Sequence, residues 1–195
     1  MLVVRHGQTT WNASKRWQGR ADSPLSALGV AQARWAADTL ERFDVVVTSH
    51  LSRAHDTGTI IAEAFGAPVV VDPDLAERDV GEWTGLTFDE IEDGWPGFLA
   101  RDEHPKGWES DDDVAARATD ALRRVAKEHH GARVLVVTHG GLIRSIERRL
   151  GLSSPYLANL GGLWITVDDE DELAAGDRVE LIDHAAVAAT VPDSE

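Results

Sequence analysis

The chain has no cysteine, and only one methionine and one tyrosine among its 195 residues. The first of these absences excludes disulfide frameworks, thiol nucleophiles and cysteine-bearing zinc sites. Long apolar runs are also missing. Met1 to Val4 are apolar, but the run stops at Arg5, too early to build a signal peptide or a membrane span, so the expected location is cytoplasmic with no membrane partner. Positive charge is scarce: 19 Lys and Arg face 34 Asp and Glu, a net charge of −15. Acidic runs lie at Glu109 to Asp113 and Asp168 to Glu172. Such a surface repels nucleic acid and anionic lipid, so any anionic ligand must find a local positive pocket.

What is present is an alternation of short Val-rich runs with helical periodicity. Leu2 to Val4, Val45 to Val47, Val69 to Val71 and Val134 to Val137 are apolar without alternation, which suits strands covered on both faces in a parallel sheet. Helices are predicted over Ser26 to Arg42, Ser52 to Phe65, Asp113 to Glu128 and Leu142 to Leu150, with Ser52 and Asp113 as N-caps. Leu163 to Val167 and Arg178 to Ile182 read as two further strands at a sheet edge. The whole reads as a single α/β domain over residues 1–195, with 43% apolar residues to fill one core. Gly94, Pro96, Gly97, Pro105 and Gly107 break residues 87–112 into short pieces, a cap-like excursion over the site. Thr190 to Glu195 reads as a frayed tail. Because the first strand starts almost at Met1, further residues are expected ahead of it in the natural chain.

Two of the strand runs end alike: Leu2-Val3-Val4 passes into Arg5-His6-Gly7, and Leu135-Val136-Val137 into Thr138-His139-Gly140-Gly141. Ligands of open parallel sheets bind beyond the carboxyl ends of the strands, so neighbouring strands would bring both histidines into one crevice. Glycine after each histidine lets backbone amides approach a ligand. His50 also follows a strand but lacks the glycine. Arg53 lies in the first turn of a predicted helix, where a cation opposes the macrodipole unless an anion compensates it. Phosphate would do so through a bidentate fork; the alternative is a helical ion pair with Asp56. Gln8 and Asn12 follow the first strand, where their amides could donate to phosphate oxygens or cap a turn.

Phosphoryl transfer needs a nucleophile, fixed positive charge and a proton for the departing alkoxide. His6 can supply the first, and Arg5, Arg53 and His139 the second. For the third, the residues alone leave Glu77, Asp79 and Glu82 open. Trp11, Trp17, Trp95 and Trp108 are candidates for a wall against the rest of the substrate, and Trp83 for packing.

Val3-Val4-Arg5-His6-Gly7-Gln8-Thr9 with Trp11-Asn12 resembles the signature of the histidine phosphatase superfamily, which includes the cofactor-dependent phosphoglycerate mutases. Gln18-Gly19-Arg20 with Asp22 to Gly29, Ser49 to Thr57, Leu75 to Gly85 and Val137 to Gly141 resemble its remaining blocks in order. The resemblance implies a three-layer α/β/α sandwich with a mostly parallel central sheet. It implies His6 as nucleophile, Arg5, Asn12, Arg53 and His139 as the phosphate pocket, and Glu77 as proton donor. Gln18, Gly19 and Gly140 fall at substrate-binding positions. A phosphohistidine intermediate, no metal and no cofactor follow from the same resemblance. His50 departs from the residue types usual at its position.

The acidic excursion, Arg101 to Asp113, would repel a bisphosphorylated cofactor, so a hydrolase of a small phosphate ester with an uncharged or apolar remainder fits better than a mutase. A non-catalytic phospho-ligand binding domain and a metal hydrolase are the other readings. The matched positions are all intact, which weakens the first; no His-Glu-x-x-His spacing occurs, which weakens the second. A homodimer is compatible with the sequence.

Overall fold

The computed structural model describes residues 1–191; of the stretch read as a tail, residues 192–195 lie outside the described residues. Four parallel strands, β1 (Leu2–Arg5), β2 (Val45–Thr48), β3 (Val69–Val71) and β4 (Val134–Thr138), stand in the order β3-β2-β4-β1. Two antiparallel strands, β5 (Gly161–Val167) and β6 (Leu173–Glu180), extend the sheet beyond β1. The central sheet is mostly parallel, as expected. The sixth strand begins earlier and ends earlier than Arg178 to Ile182, because β6 is a partly exposed hairpin arm whose residues carry little apolar signal.

Period-two alternation sorts the strand side chains between two cores. Val3, Val45, Val47, Val134 and Val136 pack against α5 (Asp111–Glu128) and α6 (Gly140–Arg149). Leu2, Val4, Val46, Leu135 and Val137 pack against α2 (Ala27–Thr39) and α3 (Ser52–Phe65), with Val187 of α7 (His184–Ala188) closing that side. These are the three layers. The register Val3↔Val136 and Arg5↔Thr138 ends β1 and β4 at the same level, so His6 and His139 emerge side by side.

Two helix starts differ from the sequence reading. Ser110 caps α5 by accepting the Asp113 N–H at 3.1 Å, and Asp111, Asp112 and Asp113 fill the first turn, where carboxylates suit the macrodipole. Ser52 is the first residue of α3 rather than its cap; its N–H and Oγ both donate to Asp22 Oδ1, at 2.8 and 2.7 Å. A carboxylate 30 residues upstream therefore does the capping. The excursion is more regular than its glycines suggested: α4 (Phe88–Gly94) starts with a Thr87–Glu90 capping box, as the short α1 (Thr10–Ala13) after β1 starts with one of Thr9 and Asn12.

Candidate active site

His6 and His139 are 2% and 0% exposed, and their rings meet edge to face with centroids 5.2 Å apart. His6 Nδ1 lies 2.6 Å from the carbonyl oxygen of Gly7. A carbonyl can only accept, so Nδ1 carries the proton and Nε2 keeps a lone pair. Burial, then the Arg53 and Arg5 charges, push His6 well below its ordinary pKa, so the ring is neutral at neutral pH. His139 is lowered for the same reasons, burial first and Arg53 next. Neither nitrogen of His139 has a hydrogen-bond partner among the described residues. An unpaired buried ring costs about 1–3 kcal/mol, which a ligand oxygen would offset.

Two guanidinium groups act on these imidazoles. Arg53 is fully buried and reaches back to the loop after α1, donating to the carbonyls of Ala21 and Gly19 at 2.7 Å each. Asp56 takes no part, which disposes of the helical ion pair. The Arg53 Nε is buried and unpartnered among the described residues. Arg5 is held by the Leu157 carbonyl at 2.6 Å and the Tyr156 hydroxyl at 3.1 Å. That 155–157 segment is tied in turn by Arg178, which donates to the carbonyls of Tyr156 and Pro155 while forming a two-pronged pair with buried Glu147 at 2.6 Å on each arm.

Of the three carboxylates left open, only Glu77 lines the cavity; Glu82 is exposed, and Asp79 accepts the Gly81 N–H at 2.9 Å. Glu77 sits at the start of α6. Its Oε2 accepts from Gly141 N at 3.0 Å, and its Oε1 from Leu142 N at 3.1 Å and Arg78 N at 2.8 Å. A Cβ at position 141 would stand 2.5 Å from Glu77 Oε1, so any larger residue there must displace that carboxylate. Arg117 of α5 locks the loop from behind, donating to the carbonyls of Asp74, Ala76 and Glu77.

Arg5, Asn12, Gln18, Gly19, Arg53 and Glu77 line one cavity of about 810 Å³, whereas His6 and His139 are buried behind that lining and are not part of it. Asn12 Oδ1 accepts the Thr9 N–H at 3.2 Å, and Gln18 Oε1 accepts from Thr9 Oγ1 at 3.0 Å. Gly140 packs against the Arg5 side chain, and Gly141 rather than Gly140 reaches the cavity. Gln8 bonds Ser26 instead, at 2.8 Å. His50 is exposed and away from the lining. The aromatic wall is made by Trp17, Trp83 and Trp108. Trp83, expected only to pack, is fully buried yet central, with Trp17, Trp95 and Trp108 all edge-on to it at 5.5 to 6.4 Å. Trp11 lies against Gly85 and Trp95 behind Trp83, so neither forms the wall.

Several residues of the site were not anticipated. Asn159 donates to the His6 carbonyl at 2.9 Å, and Thr57 Oγ1 accepts the Gly7 N–H at 3.0 Å. Thr57 carries a faint signal, a second polar side chain, one turn after Arg53, on the buried face of α3; Asn159 sits in a loop and carries none.

A model of the histidine phosphatase superfamily (branch 1) matches residues 1–159. The chain belongs to that superfamily. It is 43% identical over 165 residues to a metal-independent phosphoserine phosphatase of Arabidopsis thaliana, covering 79% of this chain and 69% of the relative. It is 34% identical over 201 residues to a probable phosphoglycerate mutase of an Enterobacter species, covering 93% and 91%. A mycobacterial glucosyl-3-phosphoglycerate phosphatase, solved as a complex with VO3, superposes with a TM-score of 0.80 at 30% identity over 90% of this chain and 96% of that one. Family and relatives make the protein a phosphatase of this superfamily. No helix among the described residues is long and apolar enough to cross a membrane.

The two neutral imidazoles set a pH dependence. In the unfolded chain they bind protons near pH 6.5, whereas in the folded protein they resist protonation, so below about 6.5 the unfolded state binds more protons and stability falls with pH. Denaturant titrations at pH 7.5 and 5.5 are expected to show a lower midpoint at 5.5, with a smaller drop in His139→Gln. A midpoint that does not move would contradict the buried neutral pair.

Proposed function

We propose that the protein hydrolyses small phosphomonoesters of cytoplasmic metabolites through a phosphohistidine on His6, without metal or cofactor. The observation that carries this reading is the Nδ1–H bond from His6 to the Gly7 carbonyl, which leaves Nε2 of a buried, neutral ring as the free electron pair beside His139, Arg5 and Arg53. In the first step Nε2 attacks phosphorus, the P–O bond to the alcohol breaks, and the alkoxide takes a proton from Glu77. Arg5, Arg53, His139 and Asn12 bind the equatorial oxygens, where charge is spread in the transition state. In the second step water attacks the phosphohistidine, Glu77 takes back a proton, and phosphate departs. Gln18 and Gly19 border the entrance, and Gly140 holds Arg5 in place.

The test is phosphate release from sugar phosphates, phosphoglycerates, nucleotides and phosphoamino acids with a chelator present throughout. Release that continues undiminished supports the reading. Release only after metal is added, or phosphoglycerate interconversion with no free phosphate, would replace it with a metal hydrolase or a mutase; capture of an ester without either would indicate a binding domain.

A further inference from the structure

The cavity holds more positive charge than one phosphate needs; of the surplus, Lys15 is exposed to solvent and three arginines are ion-paired. Arg78 and Arg148 both pair with Asp111, and Arg16 pairs with Glu90. Arg144 differs. It stands on α6 three residues after Gly141 and four before Arg148, so one face of the helix presents all three to the cavity. No hydrogen bond or ion pair to its guanidinium forms among the described residues, and its Nε is buried without a partner. Burial, then Arg148, lower its proton affinity, while Glu77 and Asp111 act in the opposite sense. A half-buried guanidinium left this way is costly unless something else supplies the acceptor.

Its position says which part of a substrate that is. Gly141, one turn earlier on the same face of α6, donates to Glu77 Oε2 at 3.0 Å, so Arg144 stands on the Glu77 side of the cavity. Arg144 is thus on the side of the proton donor, where the departing alcohol must lie.

We infer that Arg144 binds a carboxylate carried by the alcohol portion of the substrate, making the preferred ester a phosphorylated hydroxy acid. The inference rests on the phosphatase reading above. It departs from the uncharged remainder expected from the sequence, because three carboxylates of the acidic excursion are paired with arginines: Glu109 with Arg117 and Arg20, Glu103 with Arg101, Asp111 with Arg78 and Arg148. A carboxylate suits the site better than a second phosphate. One planar fork matches one carboxylate in charge and shape, while the Asp102 carboxylate in the lining opposes a further dianion.

The test compares kcat/KM for 3-phosphoglycerate with that for its methyl ester, with 1,3-propanediol bisphosphate as the second-phosphate arm. Wild type is expected to prefer the acid. In Arg144→Gln the acid-to-ester ratio should fall about 10- to 100-fold, as expected for losing a charge-assisted hydrogen bond, and Arg144→Lys should keep part of it. Calorimetry in a His6→Ala background, where nothing turns over, should show the same loss in affinity for the acid alone. A ratio that Arg144→Gln leaves unmoved, equal binding of acid and ester, or preference for the bisphosphate would overturn the assignment. Failure to release phosphate from any ester would defeat the phosphatase reading instead, and the calorimetric comparison would still decide the role of Arg144.

Discussion

His6→Ala is expected to lower turnover by about 10³-fold or more on every ester, since it removes the nucleophile and not merely a contact. Nothing nearby can substitute. The chain has no cysteine, and His139, whose ring meets that of His6 edge to face, is assigned to the phosphate oxygens. The arrangement around His6 is costly and specific: the ring is buried, fixed as one tautomer by Gly7, and kept neutral by burial and by two guanidinium groups. The same cations that keep its proton off would bind the phosphate it attacks. Rapid quench with labelled substrate should trap an acid-labile phosphoenzyme in wild type and none in His6→Ala. If the variant kept a tenth of its turnover, or the label appeared on another residue, His6 would be a structural strand-end histidine.

The second large effect is expected from Glu77→Gln, and its signature is unequal loss. Esters of ordinary alcohols need a proton at the leaving oxygen, so their hydrolysis should fall by about 10²–10³-fold, within the usual range for general acid catalysis. p-Nitrophenyl phosphate leaves without help and should lose much less. The comparison matters because Glu77 also closes the start of α6 by accepting from Gly141 and Leu142. Glutamine keeps one oxygen but turns an NH2 toward one of those donors, so some structural damage is inevitable. Damage to the helix start would slow both kinds of ester alike, whereas loss of a proton donor would not. Equal loss on both would leave Glu77 with the capping role only.

How much of this was legible in advance depended on whether a signal was local. The Val-rich runs announced strands covered on both faces, which holds for β1, β2 and β4, whose residues are all buried, but not for the edge strand β3, where Val70 and Val71 are exposed; the two His-Gly endings announced their common level because parallel neighbours in register end together. The choice of Glu77 over Asp79 and Glu82 could not be made from the residues, since all three lie within six positions and only the turn of the chain sends one inward. Ser52 resembled a cap because its type is right, but the acceptor that α3 uses is Asp22, reached through folding. Tryptophan was visible as a wall, while which tryptophans form it was not: Trp17 and Trp108 come from loops that the isolated bridge Val80↔Trp108 and their tilted rings, 6.0 Å apart, bring together.

By itself, the sequence determined the alternation of strands and helices, the family, and the residue types at the phosphate centre, because burial period and motif order are properties of neighbours along the chain. Tertiary structure alone decided the tautomer of His6, the partners that hold Arg5 and Arg53, the inward turn of Glu77 and the isolation of Arg144. Each of these depends on which carbonyl, carboxylate or amide from a distant segment arrives within hydrogen-bond reach, and such short-range forces act only once the chain has folded.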